Sequence, residues 1–188
     1  MKRFRCKTVL GLGILVMLGL LAAYSAADDA EDHHHRRSKN DHNRHHHDDE
    51  SLNPVDNAAY IDQCGACHFA YQPELLPAES WRRIMDGTED HFGDIVDLDE
   101  DTRREIERYL TSNAADTSNA RISRKIIRSL TDPAPLRITD VPYIREEHHE
   151  LSPQAIKQPS VGTLGNCIAC HQNAEYGDYD DDRVSVPR

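Results

Sequence analysis

Two copies of a five-residue motif constrain this chain more than any other feature of its sequence. They are Cys64-Gly65-Ala66-Cys67-His68 and Cys167-Ile168-Ala169-Cys170-His171. In C-x-x-C-H, two cysteines one helical turn apart can form thioethers with both vinyl groups of one porphyrin, and the following histidine can ligate its iron. The motifs predict two covalently bound haem c groups, attached through Cys64 and Cys67 and through Cys167 and Cys170, with His68 and His171 as iron ligands.

A thiol-disulfide pair and a zinc site are the chemical alternatives for these motifs. A redox C-x-x-C does not need the following histidine, and neither motif lies in a recognisable βαβ pattern. A zinc site made of two C-x-x-C pairs would leave His68 and His171 without a role. Haem attachment is the interpretation that uses every residue of both motifs.

Residues 1–27 have the pattern of a secretory signal peptide. A basic start is followed by 16 uncharged residues, 8–23, and by small residues before Asp28, which predicts cleavage after Ala27. The alternative is an uncleaved anchor, but the apolar run is shorter than the roughly 20 residues of a spanning helix. Cleavage would remove Cys6 and leave four cysteines, all in the two motifs. We therefore expect an exported, periplasmic protein whose mature form does not span the membrane.

The mature chain is strongly acidic. Removing residues 1–27 lowers Lys plus Arg from 22 to 18 against 33 Asp plus Glu, which gives a charge near −15 with neutral histidines. This charge argues against nucleic-acid binding and favours a partner protein with a basic docking face. An acidic surface that serves only solubility is the alternative.

Residues 28–50 are almost entirely polar or charged and contain seven of the 12 histidines. This composition predicts a disordered, His-rich acidic segment, because it offers no apolar surface for a core. Binding of Zn, Cu or Ni ions is one hypothesis for it, since imidazole suits these ions, and a solvated spacer is the other.

From residue 51 onward the composition is globular and indicates a mainly α fold. Helical patterns precede Cys64, begin at Pro77 and run towards Gly93, follow Asp99 as far as Asn113, and cover residues 121–130, with few strand signals. We predict two small haem-wrapping cytochrome c modules with long loops. The first covers residues 51–118, and residues 119–188 hold a linking segment and the second module.

The remaining histidines determine which side chain can be the second axial ligand of each iron. Only Met85 would be left as a methionine after export, so two His/Met irons are impossible. Three histidines are spare: His91, 23 residues after His68, is expected at the first iron, and either His148 or His149 at the second. Adjacent helical residues point about 100° apart, so both are not expected to reach one iron.

Several further segments resemble the exported dihaem cytochrome c family of bacteria. They are Tyr71-Gln72-Pro73-Glu74-Leu75-Leu76-Pro77-Ala78, Asp90-His91-Phe92-Gly93, Arg145-Glu146-Glu147-His148 and residues 166–182. The resemblance covers residues 57–187. It implies two bis-histidine haems, with His91 and His148 as distal ligands, in a carrier acting between a membrane b-type cytochrome and a small soluble haem protein that binds oxygen. Tyr143-Ile144 departs from the aromatic pair expected there.

Electron transfer without catalysis is therefore the function that the sequence predicts, with no catalytic residues. The alternative is a dihaem enzyme of the peroxidase or nitrogen-oxide reductase type, in which one iron stays five-coordinate and His148 or His149 serves as acid or base. A metal-buffering role for the His-rich segment is a third hypothesis, which leaves both C-x-x-C-H motifs unexplained.

Overall fold

The computed structural model describes residues 51–187, and within them the fold is built from helices and 3₁₀ turns with no β-strand. The predictions for residues 1–27 and 28–50 lie outside the described residues. The part of the chain that the structure describes contains six α-helices, in order α1 Ala58–Cys64, α2 Ala78–Asp86, α3 Glu100–Ser112, α4 Arg121–Ser129, α5 Pro142–Glu147 and α6 Pro153–Ile156. The mainly α fold class is confirmed.

Side-chain caps fix where the first and third helices begin. The Asn57 side chain accepts the N–H of Tyr60 at the start of α1. The Asp99 side chain accepts the N–H groups of Asp101 and Thr102 at the start of α3, as its sequence predicts. Such a cap satisfies N–H groups that have no partner inside the helix and contributes about 1 kcal/mol.

α2 ends earlier than the sequence pattern indicates. The pattern predicts a helix that continues towards Gly93, whereas the last helical residue is Asp86 and Gly87 caps the carboxyl end. A 3₁₀ turn, Thr88–Asp90, follows. The chain therefore reaches His91 in a turn and not on a helix.

One apolar cluster forms the core of the described residues. α2 and α3 pack against each other, and the α4 residues Ile126 and Ser123 are fully buried beside the turn Pro73–Leu75. The buried apolar side chains of this cluster are Leu52, Tyr60, Leu75, Leu76, Ala78, Trp81, Met85, Ile106, Leu110, Ala114, Ala115, Ile126 and Val141. Each large side chain in this set contributes roughly 1.5–3 kcal/mol by its burial.

Residues 72–78 run through this core as a 3₁₀ turn, Pro73–Leu75, and an extended approach to the first residue of α2. All seven are buried. Their polar groups are satisfied by distant residues: the Trp81 indole N–H donates to the Pro73 carbonyl at 2.7 Å, and the Ser123 hydroxyl donates to the Glu74 carbonyl at 3.2 Å. The segment therefore positions Tyr71 and Gln72 at its amino end with little freedom to move.

Candidate functional site

The first C-x-x-C-H motif lies where α1 ends. Cys64 is the last residue of the helix, and the Gly65 N–H donates to the Ile61 carbonyl as its cap. Burial raises the pKa of the Cys64 thiol to about 11, with a smaller contribution from Cys67, which is exposed. Neither cysteine forms a disulfide, so both are available for attachment.

His68 faces His91 across a narrow gap. Their ring centroids lie 6.3 Å apart and the ring planes differ by 20°. A metal ion bonded to an imidazole nitrogen at about 2 Å lies roughly 3 Å from the ring centroid, so two rings on opposite sides of one ion have centroids roughly 6 Å apart. The pair thus has the separation that one shared metal ion requires.

The proton on His68 can be assigned from its hydrogen bond. Nδ1 of His68 lies 2.8 Å from the Phe69 carbonyl oxygen, which can only accept. Nδ1 therefore carries the proton and Nε2 keeps its lone pair for a metal ion.

A tight turn presents His91. The His91 N–H donates to the Asp94 carbonyl at 2.7 Å, and the Gly93 N–H donates to Asp90 Oδ1 at 3.0 Å. Phe92 has a φ of 58° and Gly93 a φ of 106°, a backbone region that only glycine occupies easily. Burial, followed by the proximity of His68, lowers the pKa of His91 and favours its neutral, ligating form.

The second motif forms a 3₁₀ turn, Cys167–Ala169, instead of a helix end. The His171 N–H donates to the Cys167 carbonyl at 2.8 Å, which holds the two ends of the motif together. Burial raises the pKa of the Cys167 thiol to about 11. Cys170 is also half-buried and free.

His148 faces His171 in the second half of the chain. Their ring centroids lie 6.0 Å apart, with ring planes at 60°. Nδ1 of His148 lies 2.7 Å from the Ile144 carbonyl oxygen, one turn earlier in α5, so Nε2 is the free nitrogen. Burial, followed by the proximity of His148, lowers the pKa of His171.

His149 points elsewhere. Its Nδ1 lies 2.5 Å from the Glu146 carbonyl and its Nε2 lies 4.0 Å from a Glu150 carboxylate oxygen, with the side chain 61% exposed. Between the two candidates that the sequence leaves open, the structure brings only His148 next to His171.

A cavity of about 220 Å³ lies beside this second pair of histidines. Cys167, Cys170, His148 and His171 line it. Most of its other lining residues are apolar, and they include Leu75, Ile138, Ile144, Leu151, Ile156, Val161, Leu164 and Val184. An apolar wall with two histidines and two thiols suits a flat, largely apolar ring that carries a metal ion.

The donor set tests whether a bare metal ion or a haem fits these residues. Within residues 51–187 there is no group of three or more His, Cys, Asp or Glu side chains placed to hold a metal ion. Each site offers two facing imidazoles and two cysteines that follow the attachment spacing, so the other ligands of the metal must come from a bound ring. The residues fit haem.

Three residues that connect the two sites are missed as site residues by sequence analysis. The Tyr71 ring stacks on His68 with centroids 4.8 Å apart, the Tyr179 ring lies 5.5 Å from that of His171, and Gln72 joins the two regions through hydrogen bonds. Burial raises the pKa of Tyr71 to about 12 and raises the pKa of Tyr179 well above its ordinary value, so both hydroxyls remain donors. The sequence signals that point to these residues are the position of Tyr71 close after His68 and the place of all three residues in segments that resemble the dihaem family.

The fold and these two sites define a small helical protein that binds two c-type haems. The model of the family described as dihaem cytochrome c matches residues 60–179, and the chain belongs to this family. It therefore carries two covalently attached haem c groups and is a haem-based electron-transfer protein.

Solved structures support the same assignment. The chain is 38% identical to a diheme cytochrome c from Rhodobacter sphaeroides, with a TM-score of 0.58 over 69% of this chain and 99% of that one. It is 35% identical to a diheme cytochrome type c from Shewanella baltica OS155, with a TM-score of 0.57 over 70% of this chain and 93% of that one. A comparison with curated proteins gave no match.

Proposed function

We propose that this protein is a periplasmic electron carrier in which each haem iron is closed by two histidines. The first iron would be held by His68 and His91 and the second by His171 and His148, with Cys64, Cys67, Cys167 and Cys170 as the attachment residues. The observation that carries the proposal is the pair of centroid separations, 6.3 and 6.0 Å, each suited to one metal ion between two imidazoles.

When bound, each haem supplies an iron that gains or loses one electron. The chain's contribution is to keep both axial positions filled. The lowered pKa values of His91 and His171 favour neutral imidazoles at these two positions. The Nδ1 hydrogen bonds of His68 and His148 leave Nε2 as the nitrogen that faces the metal position. A closed iron has no position for O₂ or peroxide, which supports a carrier and not an enzyme. Low potentials are expected without a methionine ligand.

Location and partners belong to the same proposal. The signal pattern of residues 1–27 supports export to the periplasm. None of the helices in residues 51–187 is long and apolar enough to cross a membrane. The resemblance to exported dihaem cytochromes supports a membrane b-type cytochrome, a small soluble haem protein, or both as redox partners. The acidic charge suits partners with basic faces.

Titration of the dithionite-reduced protein with carbon monoxide tests the proposal. If both irons have two histidine ligands, neither haem binds the gas readily and both keep low-spin absorption bands. Ready binding at one haem would instead support the alternative of a dihaem enzyme with one open iron.

A further inference from the structure

Tyr71 connects the first histidine pair with the second attachment motif. Its ring stacks on His68 at 4.8 Å and 30°, and its hydroxyl donates to the Gly165 carbonyl at 2.8 Å. The same carbonyl accepts the N–H of Cys167 at 3.0 Å. One side chain of the first half therefore contacts a candidate ligand at one iron site and the backbone beside an attachment cysteine at the other.

Tyr179 makes the reciprocal connection. Its ring lies 5.5 Å from that of His171, and its hydroxyl donates to Gln72 Oε1 at 2.6 Å. Gln72 is fully buried, follows Tyr71 directly, and donates through Nε2 to the Ala174 carbonyl at 2.6 Å. The Ala174 N–H in turn donates to the His171 carbonyl at 3.0 Å.

We propose that Tyr71 and Tyr179 are reciprocal positioning residues. Tyr71 fixes the ring of His68 through its hydrogen bond to Gly165, and Tyr179 fixes the ring of His171 through its hydrogen bond to Gln72. Each iron site therefore affects the redox potential of the other. The inference rests on the proposed function, because it takes His68 and His171 as axial ligands. The buried amide of Gln72 belongs to the Tyr179 connection, and Gln72 follows Tyr71 directly in the buried segment, so the two connections meet at adjacent residues of the backbone.

The physical basis is the rigidity of each ring. A tyrosine packed on an imidazole limits its rotation only if the tyrosine itself is fixed at its far end, and here the far end is a hydrogen bond to another part of the chain. Removing the hydroxyl keeps the ring contact and loses the anchor. One hydrogen bond supports a change of roughly twofold to tenfold in an equilibrium such as the ratio of oxidised to reduced iron at a fixed potential.

The experiment compares the holoprotein with Tyr71→Phe, Tyr179→Phe and the double variant. Tyr176→Phe is the matched control, because Tyr176 is 69% exposed and lies three residues from Tyr179 in the same part of the fold. Potentiometric titration gives the midpoint potential of each haem. Electron paramagnetic resonance of the ferric protein reports the angle between the axial imidazole planes at each iron.

We expect each single Phe variant to shift both midpoint potentials and to alter the resonance signal of the iron beside it. The double variant should differ from the sum of the single changes. A shift confined to the nearer haem in both single variants, or no shift beyond that of Tyr176→Phe, would overturn the proposal. If the unaltered protein binds carbon monoxide, the histidine ligands of the proposed function are wrong. If it stays low-spin and the Tyr→Phe variants keep its midpoint potentials, only the proposed coupling through the tyrosines is wrong.

Discussion

At the scale of single residues, the two adjacent histidines after α5 have different environments. His148 bonds back to Ile144 and faces His171, whereas His149 is exposed beside Glu150. Sequence alone leaves the choice open. Adjacent residues of a helix point about 100° apart, but which of them faces the second motif depends on how the helix packs. The packing of α5 on α4 supplies that direction.

We expect His148→Ala to open one of the two irons, and His149→Ala to leave both closed. The reason is that only the His148 ring lies opposite the His171 ring, at the separation that one shared iron requires. Carbon monoxide titration of the reduced variants measures the result, with binding at one haem in His148→Ala and none in His149→Ala. Equal behaviour of the two variants would contradict the assignment.

Glu74 is a buried carboxyl whose charge opposes folding. Its Oε1 accepts the Asn53 side-chain N–H at 2.6 Å, yet burial outweighs this bond and raises the pKa of Glu74. A carboxyl whose pKa is raised on folding costs nothing well below its unfolded pKa of about 4.3. The cost appears as pH rises through that value and is complete above the folded pKa.

Glu74→Gln should therefore increase the free energy of unfolding near neutral pH by on the order of 1 kcal/mol, because glutamine keeps an acceptor for Asn53 and carries no charge. The gain should disappear as the pH falls towards about 3. Urea unfolding at several pH values checks this. Glu79→Gln, at an exposed position of α2, is the control and should change stability by less than about 0.5 kcal/mol at every pH. A gain that does not depend on pH would exclude the charge as its cause.

At the scale of elements, local signals predict helix starts better than helix ends. The cap of α3 joins Asp99 to N–H groups no more than three residues later, so the start of this helix can be predicted from the sequence. The end of α2 depends on Gly87 and on the turn that returns the chain to His91, where the Val96 N–H donates to the Thr88 carbonyl at 2.8 Å. A hydrogen bond between residues eight positions apart in a turn has no periodic signature.

The turn around His91 should be sensitive to Gly93. Gly93→Ala places a Cβ in open space, so its cost arises from the φ of 106° alone, about 1–3 kcal/mol. We expect the loosened turn to release His91 and to allow carbon monoxide to reach the first haem. Gly162→Ala is the matched control: its φ is 76° and its Cβ also meets nothing, but it lies far from His91 in the sequence. Closed irons in both variants would show that the turn is not needed to hold His91.

At the scale of the whole molecule, the decisive contacts join residues about 100 positions apart. The C-x-x-C-H motifs predict two haems from sequence, because each motif is local. The buried segment of residues 72–78 carries no helical pattern before Pro77, and its prolines mark irregular backbone without showing that Gln72 meets Ala174 and Tyr179. The division into modules at residues 118 and 119 stays a prediction, and Ala114 and Ala115 just before it are fully buried.

Gln72 offers a test of how strongly the two halves depend on each other. Gln72→Leu leaves the Tyr179 hydroxyl without its acceptor in a buried region, which costs about 1–3 kcal/mol. It also removes one donor from the Ala174 carbonyl, which keeps the Gly177 N–H, and the lost bond costs about 1 kcal/mol more. We expect the free energy of unfolding to fall by about 2–4 kcal/mol in total. Gln63→Leu makes the same chemical change at an exposed residue of α1 and should alter stability by less than about 0.5 kcal/mol.

The shape of the unfolding transition carries the same argument further. Because the core cluster draws on α1 to α5 and the buried amide joins Tyr179 to residue 72, loss of either half should expose the other. Unfolding followed by far-ultraviolet circular dichroism and by haem absorbance should therefore coincide in the unaltered protein. In Gln72→Leu the two curves should separate, with the second haem, which stays covalently attached, losing its histidine ligation at the lower urea concentration, because Ala174, which donates to the His171 carbonyl, loses its bond to Gln72. Separate transitions already in the unaltered protein would mean that the two halves fold independently and that Gln72 stabilises only their contact.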